Sequence, residues 1–271
     1  MPLINPTRPY FFHFFEWRTL PELLRLKGQG SLPLLESGYP MLVATLVQAL
    51  VVSLVLILLP LRVLTKGSTQ ECTRRIRATV AAYFGTIGVA FMFVEIAFIQ
   101  KFVLLLHHPL YAVAVALFAF LLSAGLGSRW SERLSAVTVQ RHRTVMLPVF
   151  AIVVTTLVYA GVLPRLLPVV AAFSDPVRIA LAVSLIFPLG FVMGMPFPLA
   201  MRNVWALERA LVPWAWAVNA CASVVSAVLA TLLAIHIGFT LVLVFAATLY
   251  VLAAWLYPGG ISATESREWA R

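Results

Sequence analysis

A backbone that stays apolar for about 20 residues at a time has few folds open to it. In hydrocarbon each run must pair its own N–H and C=O groups, so it spans as a helix or joins a closed barrel. Seven such runs follow one another here, at 39–59, 78–102, 110–126, 144–163, 177–195, 214–235 and 239–257. None shows the apolar–polar alternation of a barrel strand. Only 11% of the 271 residues are charged, against roughly a quarter in soluble domains. The chain therefore reads as an all-α, polytopic membrane protein with about seven transmembrane helices.

The formal charge of +10 raises the question of nucleic acid, but the basic residues sit in short loops between apolar runs. That is the pattern of membrane orientation, and nucleic acid is set aside. Thirteen of the 20 Lys and Arg residues follow runs one, three and five or lie in the tail, and seven lie on the other side. This asymmetry predicts a cytoplasmic C-terminus and an N-terminal segment outside.

Residues 1–38 read as an interfacial segment. Phe11, Phe12, Phe14 and Phe15 surround His13, and Thr19-Leu20-Pro21-Glu22 has the form of a capping box opening a short helix that stops at Gly28. Aromatic rings with Arg18, Arg25 and Lys27 beside them suit the headgroup zone, where His13 is a polar interfacial residue. The membrane domain occupies 39–257, and residues 258–271 form a polar tail. Cys72 and Cys221 give neither metal-ligand spacing nor a disulfide framework. No Ser/His/Asp arrangement, no pair of catalytic carboxylates and no phosphate-cradling glycine loop can be placed, and no cofactor is called for. Gly125-Leu126-Gly127-Ser128 ends a membrane helix and follows no strand, so it is not a nucleotide fingerprint.

One residue stands against this apolar background. Glu95 lies inside the second run, where an ionised carboxylate costs at least ~2.5 kcal/mol on insertion scales. Either neighbouring hydroxyls or amides hold it protonated, or it serves a cation or proton. It shares a stripe with Gly85, Gly88, Met92 and Ile99 at spacings of three and four. The third run carries a matching small stripe, Ala112, Ala116, Ala119, Ser123 and Gly127, so the two runs are expected to be close antiparallel neighbours. Gln100, Lys101, His107 and His108 gather at one membrane face, too few for a metal site. Haem or pigment ligation would need a histidine deep in another run, and His142 and His236 are not so placed.

The fifth run is irregular. Pro188, Gly190, Gly194, Pro196 and Pro198 crowd its last third around Met193. Prolines remove donors from the helical ladder, which predicts a kinked or discontinuous helix. Such breaks persist where they line a cavity or, more simply, where a helix ends at the surface. The sixth run sets Asn219, Ser223, Ser226 and Ala230 on one stripe, and Asn219 is a candidate partner for Glu95 or for another helix.

Phe91–Phe102, His108–Ser128, Gly190–Arg202 and Pro213–Val225 resemble the membrane region of bacterial proteins that fuse major-facilitator-like helices to a spermidine-synthase-like (aminopropyltransferase) domain. Arg8-Pro9-Tyr10-Phe11-Phe12-His13-Phe14-Phe15 resembles the segment that follows the synthase-like domain there, and the likeness runs from about Pro6 to Tyr257. Gly127-Ser128-Arg129 with Arg133 is similar to a cytoplasmic loop between early spans of major facilitators. The resemblance implies a major-facilitator-like half-bundle in a bacterial inner membrane. The synthase-like domain would precede Pro6, and this sequence does not contain it or its nucleotide-binding glycines and catalytic acids. His107 also departs from the family's usual Gly.

Two functions follow as expectations. In the first, the chain is the membrane half of a split synthase-like system that binds or passes an amphipathic cation such as a polyamine. Its partner is then a separate aminopropyltransferase-like protein. Glu95, Asn219, Gln100, Lys101, His108 and Met193 are the candidate ligand-binding residues, with Gly85, Gly88, Pro188, Gly190, Gly194 and Pro196 shaping the site. A long diffuse cation suits a lone carboxylate among aromatic faces, each worth ~0.5–2 kcal/mol. In the second, the chain is a non-catalytic structural subunit of a larger membrane complex, held through its small-residue stripes.

Overall fold

The computed structural model describes residues 38–64, 71–106, 108–137 and 141–258. The interfacial segment expected before residue 38, His107 and the tail from 259 lie outside them. The described residues form eight α-helices and no strand. In chain order these are α1 (Gly38–Leu64), α2 (Glu71–Leu106), α3 (Pro109–Val137), α4 (Arg141–Val170), α5 (Asp175–Met193), α6 (Pro196–Leu207), α7 (Leu211–Ile237) and α8 (Phe239–Trp255).

Each of the seven apolar runs has become a helix. Five stretches are long and apolar enough to cross a membrane: Arg75–Leu106, Pro109–Arg133, Thr144–Val170, Asp175–Leu207 and Leu211–Ile237. They fit a multi-pass helical membrane protein. Met41–Leu56 and Phe239–Trp255 are shorter apolar helices. At 1.5 Å per residue the latter is about 26 Å long, a little under the hydrocarbon thickness. The outward faces of the bundle carry Phe118, Leu121, Phe150 and Trp255, all exposed. A surface this apolar belongs against lipid chains.

Three boundaries differ from the sequence expectation. The segment expected as a basic loop after Leu126 is helical through Val137, so the Gly127-Ser128-Arg129 stretch is not a loop. Four-residue spacing lets its polar residues keep to the turns beyond the apolar stripe, and nothing there breaks the ladder. The fourth span does not stop at Leu163 but continues through Pro164 and Pro168 to Val170. Two prolines remove donors there, while the Arg165 guanidinium donates to the Gly161 carbonyl at 3.2 Å. At the other end of that connection α5 begins with Ser174 before it and Pro176 in its first turn. Asp175 pairs with Arg178 at 3.2 Å, close to the partly positive end of the helix.

The long helix α2 is central and is touched by α3 through α8. α1 packs on α7, and α8 packs on α2 and α4. Phe98 of α2 meets Phe102, Phe120 of α3 and Tyr159 of α4 edge to face, at centroid distances of 5.6–5.7 Å. These rings close the core at one end of the bundle.

The small-residue stripes do not pair with one another as the sequence suggested. The α2 stripe faces α7: Gly88 lies against the Asn219 carbonyl, where an added Cβ would come within 2.8 Å. The α3 stripe faces α5: Gly127 abuts the Phe191 carbonyl, Gly194 abuts the Ala124 carbonyl, and Gly190 abuts the Ser123 hydroxyl. α2 and α3 are antiparallel neighbours joined by a short turn. Their joining turn brings them together without needing glycines, which are spent on the two tighter seams.

The α7–α8 turn is a single residue, Gly238, at φ 82° and ψ 157°. This region of the backbone map is essentially open to glycine alone. Gly238→Ala is expected to lower stability by about 1–3 kcal/mol, read as the unfolding midpoint of the purified chain. Gly127→Leu should destabilise by at least ~1–3 kcal/mol in the same assay, because the α5 main chain has no flexible end to move aside. Gly125, whose added Cβ would meet nothing within 4 Å, is the control: Gly125→Ala should stay within about 0.5 kcal/mol.

Candidate functional site

Between the two glycine seams lies a cavity of about 510 Å³. α2 contributes Ile87, Gly88, Phe91 and Met92, and α3 contributes Leu121, Ala124, Gly125 and Ser128. The break between α5 and α6 supplies Met193, Gly194, Pro196, Phe197 and Pro198. Trp216, Asn219 and Ser223 of α7 and Tyr250 of α8 complete the wall. A volume of this size suits a drug-sized ligand, and an apolar wall with a few polar groups is the usual make-up of such sites.

The break itself follows from the local sequence. α5 ends at Met193 and α6 restarts at Pro196, whose ring removes a donor and cannot continue an unbroken ladder. Gly194 and Met195 stay near helical dihedrals, and their N–H groups bond to the Gly190 and Val192 carbonyls. The discontinuity is therefore a tight kink and not an unwound strand. Pro188 sits earlier, inside α5, at an exposed position away from the cavity wall. The buried Tyr83 hydroxyl donates to the Pro196 carbonyl at 3.1 Å, tying the kink to the central helix. Phe197 then lies edge-on between Phe84 at 5.1 Å and Trp216 at 4.6 Å. Nearby, the Asn203 amide donates to the Tyr257 hydroxyl, joining α6 to the end of α8.

Polar capacity in the cavity is sparse. Ser223 Oγ is already used, donating to the Asn219 carbonyl at 2.9 Å. The Asn219 side-chain amide makes no hydrogen bond to any described residue; its Oδ1 rests beside Gly88. A half-buried primary amide in this state offers two donors and an acceptor to an occupant.

The expected site residues separate into two groups. Met193, Asn219, Gly88, Gly194 and Pro196 come together in the cavity wall, while Gly190 holds α5 against Ser123 and Gly85 packs on Val218. Glu95, Gln100, Lys101 and His108 are not among the lining residues. Glu95 is 5% exposed, and no described residue gives it a hydrogen bond or ion pair, Asn219 included. Lys101 is 8% exposed and likewise unpaired among the described residues. It lies nine residues beyond Met92, about 14 Å further along the axis. Gln100 is half-buried, and His108 is exposed with its ring against Tyr111 at 5.7 Å. No group of three or more His, Cys, Asp or Glu side chains arranged for a metal occurs among the described residues.

Trp216, Tyr250, Phe91 and Phe197 were not anticipated as site residues. Phe91 is one turn from Glu95 and Trp216 three residues before Asn219, so proximity to the polar residues was the available signal. Tyr250 had none, because its place depends on how α8 folds back.

No protein-family model, no curated protein and no solved structure matches this chain. The site therefore stands on its own geometry.

Tyr83→Phe removes the O–H that holds the kink and keeps the ring. It should cost about 1 kcal/mol of stability in thermal unfolding, the ordinary net value of one such bond.

Proposed function

We propose that this membrane protein binds an amphipathic small molecule in the cavity between α2, α3, the α5–α6 kink and α7. The observation that carries this is the convergence of a broken helix, an uncommitted Asn219 amide and aromatic walls on one volume of about 510 Å³. The apolar wall takes the hydrocarbon part of the ligand, and burying each methylene contributes about 0.8 kcal/mol. Asn219 takes a hydrogen-bonding group. Phe91, Phe197, Trp216 and Tyr250 offer ring faces and edges, while Met92 and Met193 fill gaps with deformable thioethers.

This is broader than the cation first expected. A polyamine site was built on Glu95, and this cavity has no carboxylate in its wall. The link to an aminopropyltransferase-like partner rests on the sequence resemblance alone, and nothing in the cavity bears on it. A purely structural subunit would need no such volume, and the glycine seams are already occupied within the chain.

The test uses a neutral dodecanol bearing a photoreactive diazirine, added to the full chain in proteoliposomes, with adducts mapped by mass spectrometry. Labelling concentrated on Phe91, Met92, Met193 and Tyr250, and abolished by Gly125→Trp, is the expected result. Labelling spread over outward positions such as Phe118, Phe150 and Trp255, unchanged by that substitution, would overturn the proposal.

A further inference from the structure

The cavity wall has an outward side. Leu121 and Trp216 line it, yet they are 69% and 56% exposed. Gly125, one turn beyond Leu121 on α3 and also in the wall, is exposed and has open space where a side chain would stand. α3 and α7 make no extended contact with each other; both lean on α2. All three residues lie within stretches long and apolar enough to cross a membrane, so an opening at a mouth between α3 and α7 would face lipid chains.

The charge at that mouth has one dominant sign. Arg129 follows Gly125 by four residues, which puts it on the same side of α3 one helical turn toward the end of the bundle. It is exposed. Arg133 comes a turn later, its guanidinium over the Trp130 ring at 4.9 Å. Arg202 of α6, a turn beyond Pro198, meets Glu132 of α3 at 3.4 Å, with side chains 42% and 67% exposed. Glu132 is the single acid of this group, against three guanidiniums. Past the end of α6, Arg209 lies over Trp205 at 5.0 Å, with the exposed Glu208 beside it in the chain. Tryptophan rings beside arginines at the ends of membrane helices mark headgroup depth.

We infer that the occupant is an anionic lipid drawn from the surrounding bilayer, with an acyl chain through the α3–α7 mouth into the cavity and its head group against Arg129. The inference rests on the cavity being a binding site and adds the ligand's source and charge, the acyl ester carbonyl being the group that Asn219 takes. An apolar wall with a single uncommitted amide is poor compensation for a free anion such as phosphate, which would have to leave water to enter. A guanidinium at the rim selects an anion by charge-assisted hydrogen bonding. Lateral access needs no aqueous path, so the ligand never crosses the outward apolar faces through water.

The test is competitive retention. The full chain is reconstituted with equal parts phosphatidylglycerol and phosphatidylcholine, extracted in mild detergent, and its retained lipids are counted by native mass spectrometry. Wild type should keep phosphatidylglycerol over phosphatidylcholine by about tenfold. Arg129→Gln should remove the preference without lowering the total retained, and Arg129→Lys should restore most of it. Gly125→Trp, with folding verified by size exclusion, should lower retention of both lipids. A preference unchanged by Arg129→Gln, or phosphatidylglycerol fully retained by Gly125→Trp, would overturn the inference. If the neutral dodecanol still labels the cavity in that event, the binding site stands and only the lipid assignment falls; if it does not, both fall.

Discussion

The contact on which the rest of the bundle depends is one in which side chains take almost no part. α3 and α5 meet main chain to main chain, Gly127 on the Phe191 carbonyl and Gly194 on the Ala124 carbonyl. In lipid no hydrophobic force draws helices together, so close backbone approach and the dispersion contacts it allows carry the association. Because Gly194 is also the residue at which α5 stops, the seam and the kink are one feature. Holding α5 this close to α3 leaves α6 to turn toward α2, where the Tyr83 hydroxyl holds Pro196. The second seam, Gly88 against Asn219, draws α7 onto the other side of α2. Two tight seams on different faces of the bundle leave a space between them, and that space is the cavity.

Glu95 and Lys101 remain the costly residues of α2. Six residues apart, they differ by about 9 Å along the axis and roughly 240° around it, so they do not form a pair. Each is buried without an ion-pair partner among the described residues, and neither is among the residues lining the cavity. Charged residues of this kind cost at least ~2.5 kcal/mol each at a membrane helix centre. The close packing of α2, which touches every helix from α3 to α8, sets the stability against which that cost is carried.

Much of this was legible in the residues. Helical class and the positions of the spans follow from apolar length, which lipid enforces without help from tertiary structure. The kink at Gly194 to Pro196 was readable because proline chemistry is local. Which stripe meets which was not readable: Gly85 and Gly88, and Ser123 and Gly127, are equally suited to any small-residue partner, and the turn at His108 suggested the wrong one. The extension of α3 past Leu126 was missed for a related reason. Arg129, Glu132 and Arg133 look like a loop when judged by hydropathy, although nothing among them breaks a helix. Asn219 was picked as a polar residue in an apolar run, and the same logic picked Glu95; a single sequence cannot tell which of them lines a cavity. Only the fold separates an amide facing a cavity from a carboxylate facing the core.

The separation changes the chemistry of the site. With Glu95 in the wall, the cavity would carry a fixed negative charge and would select cations by Coulomb attraction strengthened in a low dielectric. Without it, the wall is neutral, and the guanidiniums of Arg129 and Arg133 follow its α3 side. Those charges are screened by water and salt and contribute little to affinity by themselves. Their effect is on orientation and choice: the chain of an amphipath is bound by the area it buries, and the rim decides which head group stays with it. A neutral apolar wall with a cationic rim, opening sideways, thus places recognition at the membrane surface and binding within the membrane, and the α5–α6 kink borders both.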